Sequence, residues 1–209
     1  MLNVIEKMQD KTILVIRHGK TSWNKMGFLS YTDVPLKDSE KKHVEILAKK
    51  LKEKMNSTDG IIYTSPLRRC KETALLLSRY LGLPIEERDE LKELNFGIFE
   101  GLSIKEAKQK YPDIFEKREK GKWNFRIPKG ESYRDAYLRL RKIFREIKTI
   151  KKKYVIVVTH ATIMKLFLIH FSKFDVNEVQ KFLFKPLSVL EIKLSRKSVK
   201  ICLDGNRIY

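Results

Sequence analysis

Cysteine is scarce: only Cys70 and Cys202 stand in the 209 residues, far apart and outside any CxxC or Cys/His cluster. That excludes a disulfide-stapled scaffold and a cysteine-based metal site, and it predicts two small packing groups in a reducing cytoplasm. Long apolar runs are missing too. The most apolar zone, Tyr154 to Phe171, is broken by Thr159, His160 and Lys165 and changes period midway from strand to helix, so no membrane span is expected. The opening MLNVIEKMQDK has no apolar core of secretory length, because Glu6, Lys7 and Asp10 divide it, and it is read as a short packed turn or a tail. Neither a linker nor an internal repeat divides the chain. With 42% hydrophobic content it can bury one core, so a single domain over 1–209 is expected. Acidic residues are also short, at 26 against 45 Lys plus Arg. The resulting +19 fits a phosphorylated or polyanionic partner, or solubility alone, and charge by itself does not choose.

What is present alternates between strand-like and helix-like stretches. That is the βαβ pattern of a mainly parallel sheet covered on both faces, which predicts a three-layer α/β/α sandwich. Strands are predicted over 13–17, 60–64 (GIIYT), 154–158 (YVIVV), 189–194 and 199–203, with a turn between the last two near Arg196 and Lys197. A helix over 39–54 carries Val44, Leu47, Ala48 and Leu51 at helical spacing. A second opens on Ser65 as cap with Pro66 in its first position and stops near Gly82. Two more cover 130–148 and 161–171. His43 lies in a Lys-rich helix and His170 near a helix end, where a cationic imidazole suits the dipole; neither is assigned to a site.

Three chemically notable side chains fall at equivalent places in this scheme. LVIRHGKTSWN runs a buried strand straight into Arg17 and His18; Arg69 follows the second strand; His160 ends the strand YVIVV. In a parallel sheet all three face one crevice at the carboxyl ends of the strands, where ligands of open α/β sheets bind. Each alone is ordinary, since a histidine ending a strand often only bonds a carbonyl. Together, a histidine among arginines suits acceptance of a phosphoryl group: the cations keep the attacking imidazole neutral and hold the phosphoryl oxygens in the transition state.

RHGKTSWN (17–24), SPLRRCKETA (65–74), ELNFGIFEG (93–101), PKGES (128–132) and VIVVTHA (155–161) resemble, in order, the motifs of the histidine phosphatase superfamily, which includes the cofactor-dependent phosphoglycerate mutases. The resemblance implies a phosphoglycerate mutase-like fold. It also implies His18 as the nucleophile, Arg17, Arg69, His160 and Asn24 around the phosphate, and Glu93 as proton donor and then base for water. Gly97 and Gly101, following Glu93, are read as giving the backbone close approach to a phosphate. No metal and no cofactor are called for, because cationic side chains take the place of Mg²⁺. The chain departs from the family pattern at the rim: Gly27 and Ser30 stand where an arginine and a glycine are frequent, Glu40 where glycine is common, Ala161 for the glycine after the second histidine, and Leu187 for an asparagine. Ser30 and Ala161 are therefore carried as substrate-binding positions whose residue types put the substrate in doubt.

The segment 103–129 is short, and only 67 positions separate Glu93 from His160. The family's mutases carry a long arginine-rich insert there, so hydrolysis is favoured over mutase chemistry. Tyr111, Phe115, Trp123 and Phe125, with Lys122 and Arg126, either form a small cap over an anionic substrate or pack against the sheet. The expected partner is a small anionic phosphomonoester such as phosphoserine, α-ribazole phosphate, a phosphoglycerate or a sugar phosphate, and a homodimer is left open. The competing class is a basic nucleic-acid-binding protein, drawn from the +19 charge and the aromatics near Trp123. Zinc-ligand spacing, an RNP-like strand and a basic recognition helix are all missing from the sequence, so no specific nucleic acid is expected.

Overall fold

The computed structural model describes residues 10–23, 31–195 and 198–208. The predicted turn at Arg196 and Lys197, the stretch 1–9 and the positions Asn24, Gly27 and Ser30 lie outside them.

Strand β1 (Lys11–Arg17) is aliphatic at every position from Ile13 to Ile16, so both of its faces must be covered. It sits inside a seven-stranded sheet with β2 (Gly60–Thr64), β3 (Ile85–Glu87), β4 (Tyr154–Thr159), β5 (Val189–Leu194), β6 (Val199–Leu203) and β7 (Asn206–Arg207), in the order β3-β2-β4-β1-β5-β6-β7. The first four strands pair in parallel and the last three add antiparallel pairings. Register Arg17↔Thr159 and Thr64↔Val158 brings the ends of β1, β4 and β2 level, which sets one crevice above three strands.

Alternation along the strands divides the core in two. Leu14, Ile16, Ile62, Ile156 and Val158 pack under α1 (Glu40–Lys54) and α2 (Arg68–Leu81) through Val44, Ala48, Leu51, Cys70, Ala74 and Leu77. Ile13, Val15, Tyr63, Val155 and Val157 pack on the other face under α5 (Tyr133–Thr149) and α6 (Ala161–Phe171) through Leu140, Ile143, Phe144, Ile163 and Phe167. This is the three-layer arrangement expected.

Several local expectations are corrected. Helix α2 begins at Arg68 with Leu67 as its cap residue, not at Ser65. The Ser65 hydroxyl oxygen accepts the Leu67 amide at 3.3 Å, a turn that holds the chain out of helix for two residues. Helix α5 starts at Tyr133, where Ser132 and Asp135 satisfy each other's amides in a capping box. Two short helices, α3 (Ile104–Lys110) and α4 (Pro112–Lys120), fill the stretch where the sequence pattern faded. Aromatics of this stretch pack on the core: Tyr111 and Phe115 meet Phe99, and Trp123, beyond α4, meets Tyr137. His170 does not act as a helix-end cation. It stacks on Phe144 with ring centroids 3.9 Å apart, and burial, aided by Lys148, pushes its pKa down to about 4. Among the described residues no helix is long and apolar enough to cross a membrane.

Candidate active site

β1 delivers Arg17 and His18, β4 delivers His160, and the first turn of α2 delivers Arg69. The three predicted centres, His18, Arg69 and His160, are only 4%, 3% and 1% exposed. The His18 amide donates to the Thr159 carbonyl at 3.0 Å, which stitches the two histidine-bearing strand ends together. The imidazoles then meet edge to face, with centroids 5.2 Å apart.

Each side chain is oriented by a specific bond. His18 Nδ1 lies 2.7 Å from its neighbour's carbonyl, Gly19 O, which can only accept, so Nδ1 carries the proton and Nε2 keeps a lone pair. Burial first, then Arg69 and Arg17, hold the His18 pKa well below 6.5 against the opposing pull of that carbonyl. His160 is likewise depressed by burial and then by Arg69, His18, Arg17 and Arg139. Both rings are therefore neutral near pH 7. Arg69 Nη1 donates to Thr32 O at 2.7 Å, and Arg17 Nη1 donates to Phe184 O at 2.6 Å. Arg17 Nε is buried and has no partner among the described residues.

Glu93 reaches the same crevice from the loop after β3. The Thr159 hydroxyl donates to Leu91 O at 2.8 Å, tying that loop to the end of β4. The Glu93 carboxylate accepts the Leu94 amide at 2.8 Å and the Thr162 amide, in the first turn of α6, at 3.4 Å. Ala161 is the first residue of α6, half-buried beside His160. The structure thus brings together Arg17, His18, Arg69, Glu93, His160 and Ala161, while Asn24 and Ser30 lie outside the described residues.

Other contributors were not legible as such. Arg139, on α5, donates to the carbonyls of Lys92 at 2.8 Å and Glu93 at 3.0 Å and to that of Glu90, and pairs with Glu131 at 3.0 Å; it braces the Glu93 loop from behind. Glu131 in turn accepts the Asn95 amide at 3.0 Å. The one signal for this brace was the position of Glu131 inside PKGES. Gly97 is required by packing: a Cβ there would run into Pro128 O, so this glycine lets the 93–101 loop press on the 128–130 segment. Gly101 serves its own left-handed φ of +74°, with open space around it. Glu100 accepts the Tyr31 and Thr32 amides at 2.8–2.9 Å and the Thr32 hydroxyl at 2.7 Å, so the carbonyl that holds Arg69 is itself pinned. Glu40, in place of the common glycine, is buried and accepts the Lys20 amide at 3.0 Å, closing the turn after His18.

A second cationic group stands beside Glu93. Lys165 lies one helical turn beyond Ala161, and its Nζ donates to Gln180 Oε1 at 2.8 Å. Burial and then Lys122 lower its pKa to about 8, with Arg118 adding to the effect and Glu93 opposing it. Lys122 pairs with Glu119 at 2.9 Å, and Arg118 pairs with the same carboxylate. Three cations therefore gather with one carboxylate of their own.

Two neutral histidines, the buried Arg69 and the half-buried Arg17 at the carboxyl ends of a parallel sheet describe an α/β protein of the phosphate-handling kind. The chain belongs to the histidine phosphatase superfamily, branch 1, whose family model matches residues 13–204. Members of that superfamily are phosphatases or mutases. The 6-phosphofructo-2-kinase/fructose-2,6-bisphosphatase 3 of Rattus norvegicus is 32% identical over 172 residues, covering 82% of this chain and 30% of the rat protein. The chain spans a quarter to a third of the length of the curated relatives it matches. Among solved structures, the mycobacterial glucosyl-3-phosphoglycerate phosphatase superposes with a TM-score of 0.78 at 20% identity, covering 96% of this chain and 100% of its own. The α-ribazole phosphatase of Shigella flexneri gives 0.78 at 20%, covering 92% and 95%. These two share the phosphoglycerate mutase-like fold.

Proposed function

We propose that this protein is a metal-independent phosphomonoesterase that hydrolyses a small phosphorylated metabolite through a phosphohistidine on His18, and that its substrate carries a second anionic group. The observation that carries the first part is the orphaned Arg17 Nε, a buried guanidinium donor beside a neutral histidine whose Nε2 lone pair is available. A buried donor without an acceptor is costly unless a ligand oxygen supplies one. In this reading His18 Nε2 attacks phosphorus, the P–O bond to the leaving oxygen breaks, and Glu93 gives that oxygen its proton. Water then attacks phosphorus while Glu93 takes its proton; the new P–O bond forms, the N–P bond breaks with its electron pair returning to His18 Nε2, and phosphate is released. Arg17 and Arg69 offset the charge on the phosphoryl oxygens throughout, and the neutral His160 ring donates a hydrogen bond to one of them.

Arg118, Lys122 and Lys165 support the second part. Lys165 is within electrostatic reach of Glu93, Lys122 and Arg118, so a leaving group protonated by Glu93 would feel these cations, whose charge exceeds that of Glu119. A sugar bisphosphate fits this pair of cationic groups, in line with the fructose-2,6-bisphosphatase named in the rat relative. The test compares kcat/KM for fructose 2,6-bisphosphate, a sugar monophosphate and an aryl phosphate, all in chelator. A second charge-assisted contact is expected to favour the bisphosphate by about 10- to 100-fold, and Lys165→Met to erase most of that preference. Equal values for bisphosphate and monophosphate would overturn the second-anion part. No phosphate release in chelator from any substrate would overturn the metal-independent esterase.

A further inference from the structure

Ser65 lies in the turn between β2 and α2, is fully buried, and touches His160 instead of capping a helix. Its Oγ has three polar neighbours, the Leu67 amide, His160 Nε2 and the Cys70 sulfur, whose roles can be sorted by proton count. The Leu67 amide can only donate, and it donates to Ser65 Oγ at 3.3 Å. His160 Nε2, 2.9 Å from the same oxygen, belongs to a neutral ring and can either donate or accept. The hydroxyl's single proton needs an acceptor. The neighbouring Cys70 sulfur offers a poor one, because burial pushes its thiol up to about 12 and keeps it protonated. That sulfur also hydrogen-bonds Ser65 and lies 3.4 Å from His160 Nε2 and 3.9 Å from Nδ1, but a protonated thiol sulfur is a weaker acceptor than an imidazole lone pair. The stronger acceptor open to the Ser65 proton is His160 Nε2, at 2.9 Å.

We propose that Ser65 is a positioning residue that fixes the tautomer of His160: its hydroxyl donates to Nε2, so the ring proton resides on Nδ1 and is available for donation to a phosphoryl oxygen. The inference rests on the reading that the phosphoryl group binds between His18 and His160. The two imidazoles then share one tautomer and perform opposite tasks. His18, whose Nδ1–H is taken by Gly19 O, offers the lone pair of Nε2; His160, whose Nε2 is taken by Ser65, offers the proton of Nδ1. A free imidazole beside two arginines has no reason to hold this arrangement. With the proton on Nε2, His160 would turn a lone pair towards phosphoryl oxygens and repel them. The chain thus uses one backbone carbonyl and one hydroxyl to make two histidines chemically distinct.

The test is two-bond ¹H–¹⁵N NMR of the uniformly ¹⁵N-labelled full chain above neutral pH, which separates protonated from lone-pair ring nitrogens, with His160→Gln to assign the signals. Wild type should show His160 protonated on Nδ1. A proton on Nε2 in wild type overturns the proposal whatever the variants do, and this readout stands even if no substrate is ever found. Ser65→Ala should shift His160 to the Nε2–H form or a mixture and lower kcat about 3- to 10-fold, the value of one hydrogen bond, with KM nearly unchanged. Ser65→Thr, which keeps the hydroxyl, should restore both the tautomer and the rate. A folded Ser65→Ala protein with the wild-type His160 tautomer would also overturn it.

Discussion

At the scale of single residues, the chemistry depends on which groups are kept uncharged. His18, His160 and His170 are all held neutral by burial, and at the first two the arginines add to it. Such groups link stability to pH with a definite sign. The unfolded chain takes up protons near pH 6.5 while the folded one resists, so the unfolded state binds more protons below that value and stability falls with acid. For His170 the window runs from about 6.5 down to its folded value of about 4. The stability advantage of wild type over His170→Gln, measured by denaturant unfolding, should therefore be full above pH 6.5 and shrink steadily towards pH 4. An advantage that stays constant over that range would show that His170 titrates alike in both states. His170 also illustrates a limit of reading residues from sequence. A histidine near a helix carboxyl end suggests a cation, and only the ring of Phe144 stacked on it reveals the opposite.

At the scale of elements, the loop carrying Glu93 is placed by backbone packing, and glycine is what permits it. Gly97 and Gly101 both adopt positive φ, +52° and +74°, but only Gly97 also meets backbone, at Pro128 O and Gly130 N. Gly101→Ala should cost about 1 kcal/mol for its left-handed conformation. Gly97→Ala should cost about 2–4 kcal/mol, because overpacking against backbone that cannot yield adds to the same strain. Urea midpoints on the two variants separate the cases, and equal losses would contradict the packing role. The order of the main strands and helices was legible because aliphatic runs and helical spacing are local. The strands β3 and β7 were not, since three and two residues are too few to carry a period. Helices α3 and α4 were obscured by lysines and Pro112, although the Ser103–Glu106 capping box marked the start of the first. The start of α2 was misplaced because Ser65 looks like a cap, and sequence cannot say that its hydroxyl is already committed to His160.

At the scale of the whole molecule, side chains far apart in the chain meet because the strand ends of β1, β4 and β2 are in register, and that convergence could be foreseen from parallel strands alone. The roles of His18, Glu93 and His160 came through resemblance to motifs. The brace behind Glu93 and the cations at Arg118 and Lys165 required the fold, because each depends on a contact between elements. On the proposed mechanism His18 is the phosphoryl acceptor. The most direct test of that role is to react Glu93→Gln with a ³²P-labelled aryl phosphate, quench in alkali, where phosphohistidine survives, and map the label. With a good leaving group the first step needs little acid, while the variant is slow to activate water, so label should accumulate on His18 at up to one per chain and be absent from His18→Ala. Label on His160 or on a carboxylate, or its persistence in His18→Ala, would contradict the account.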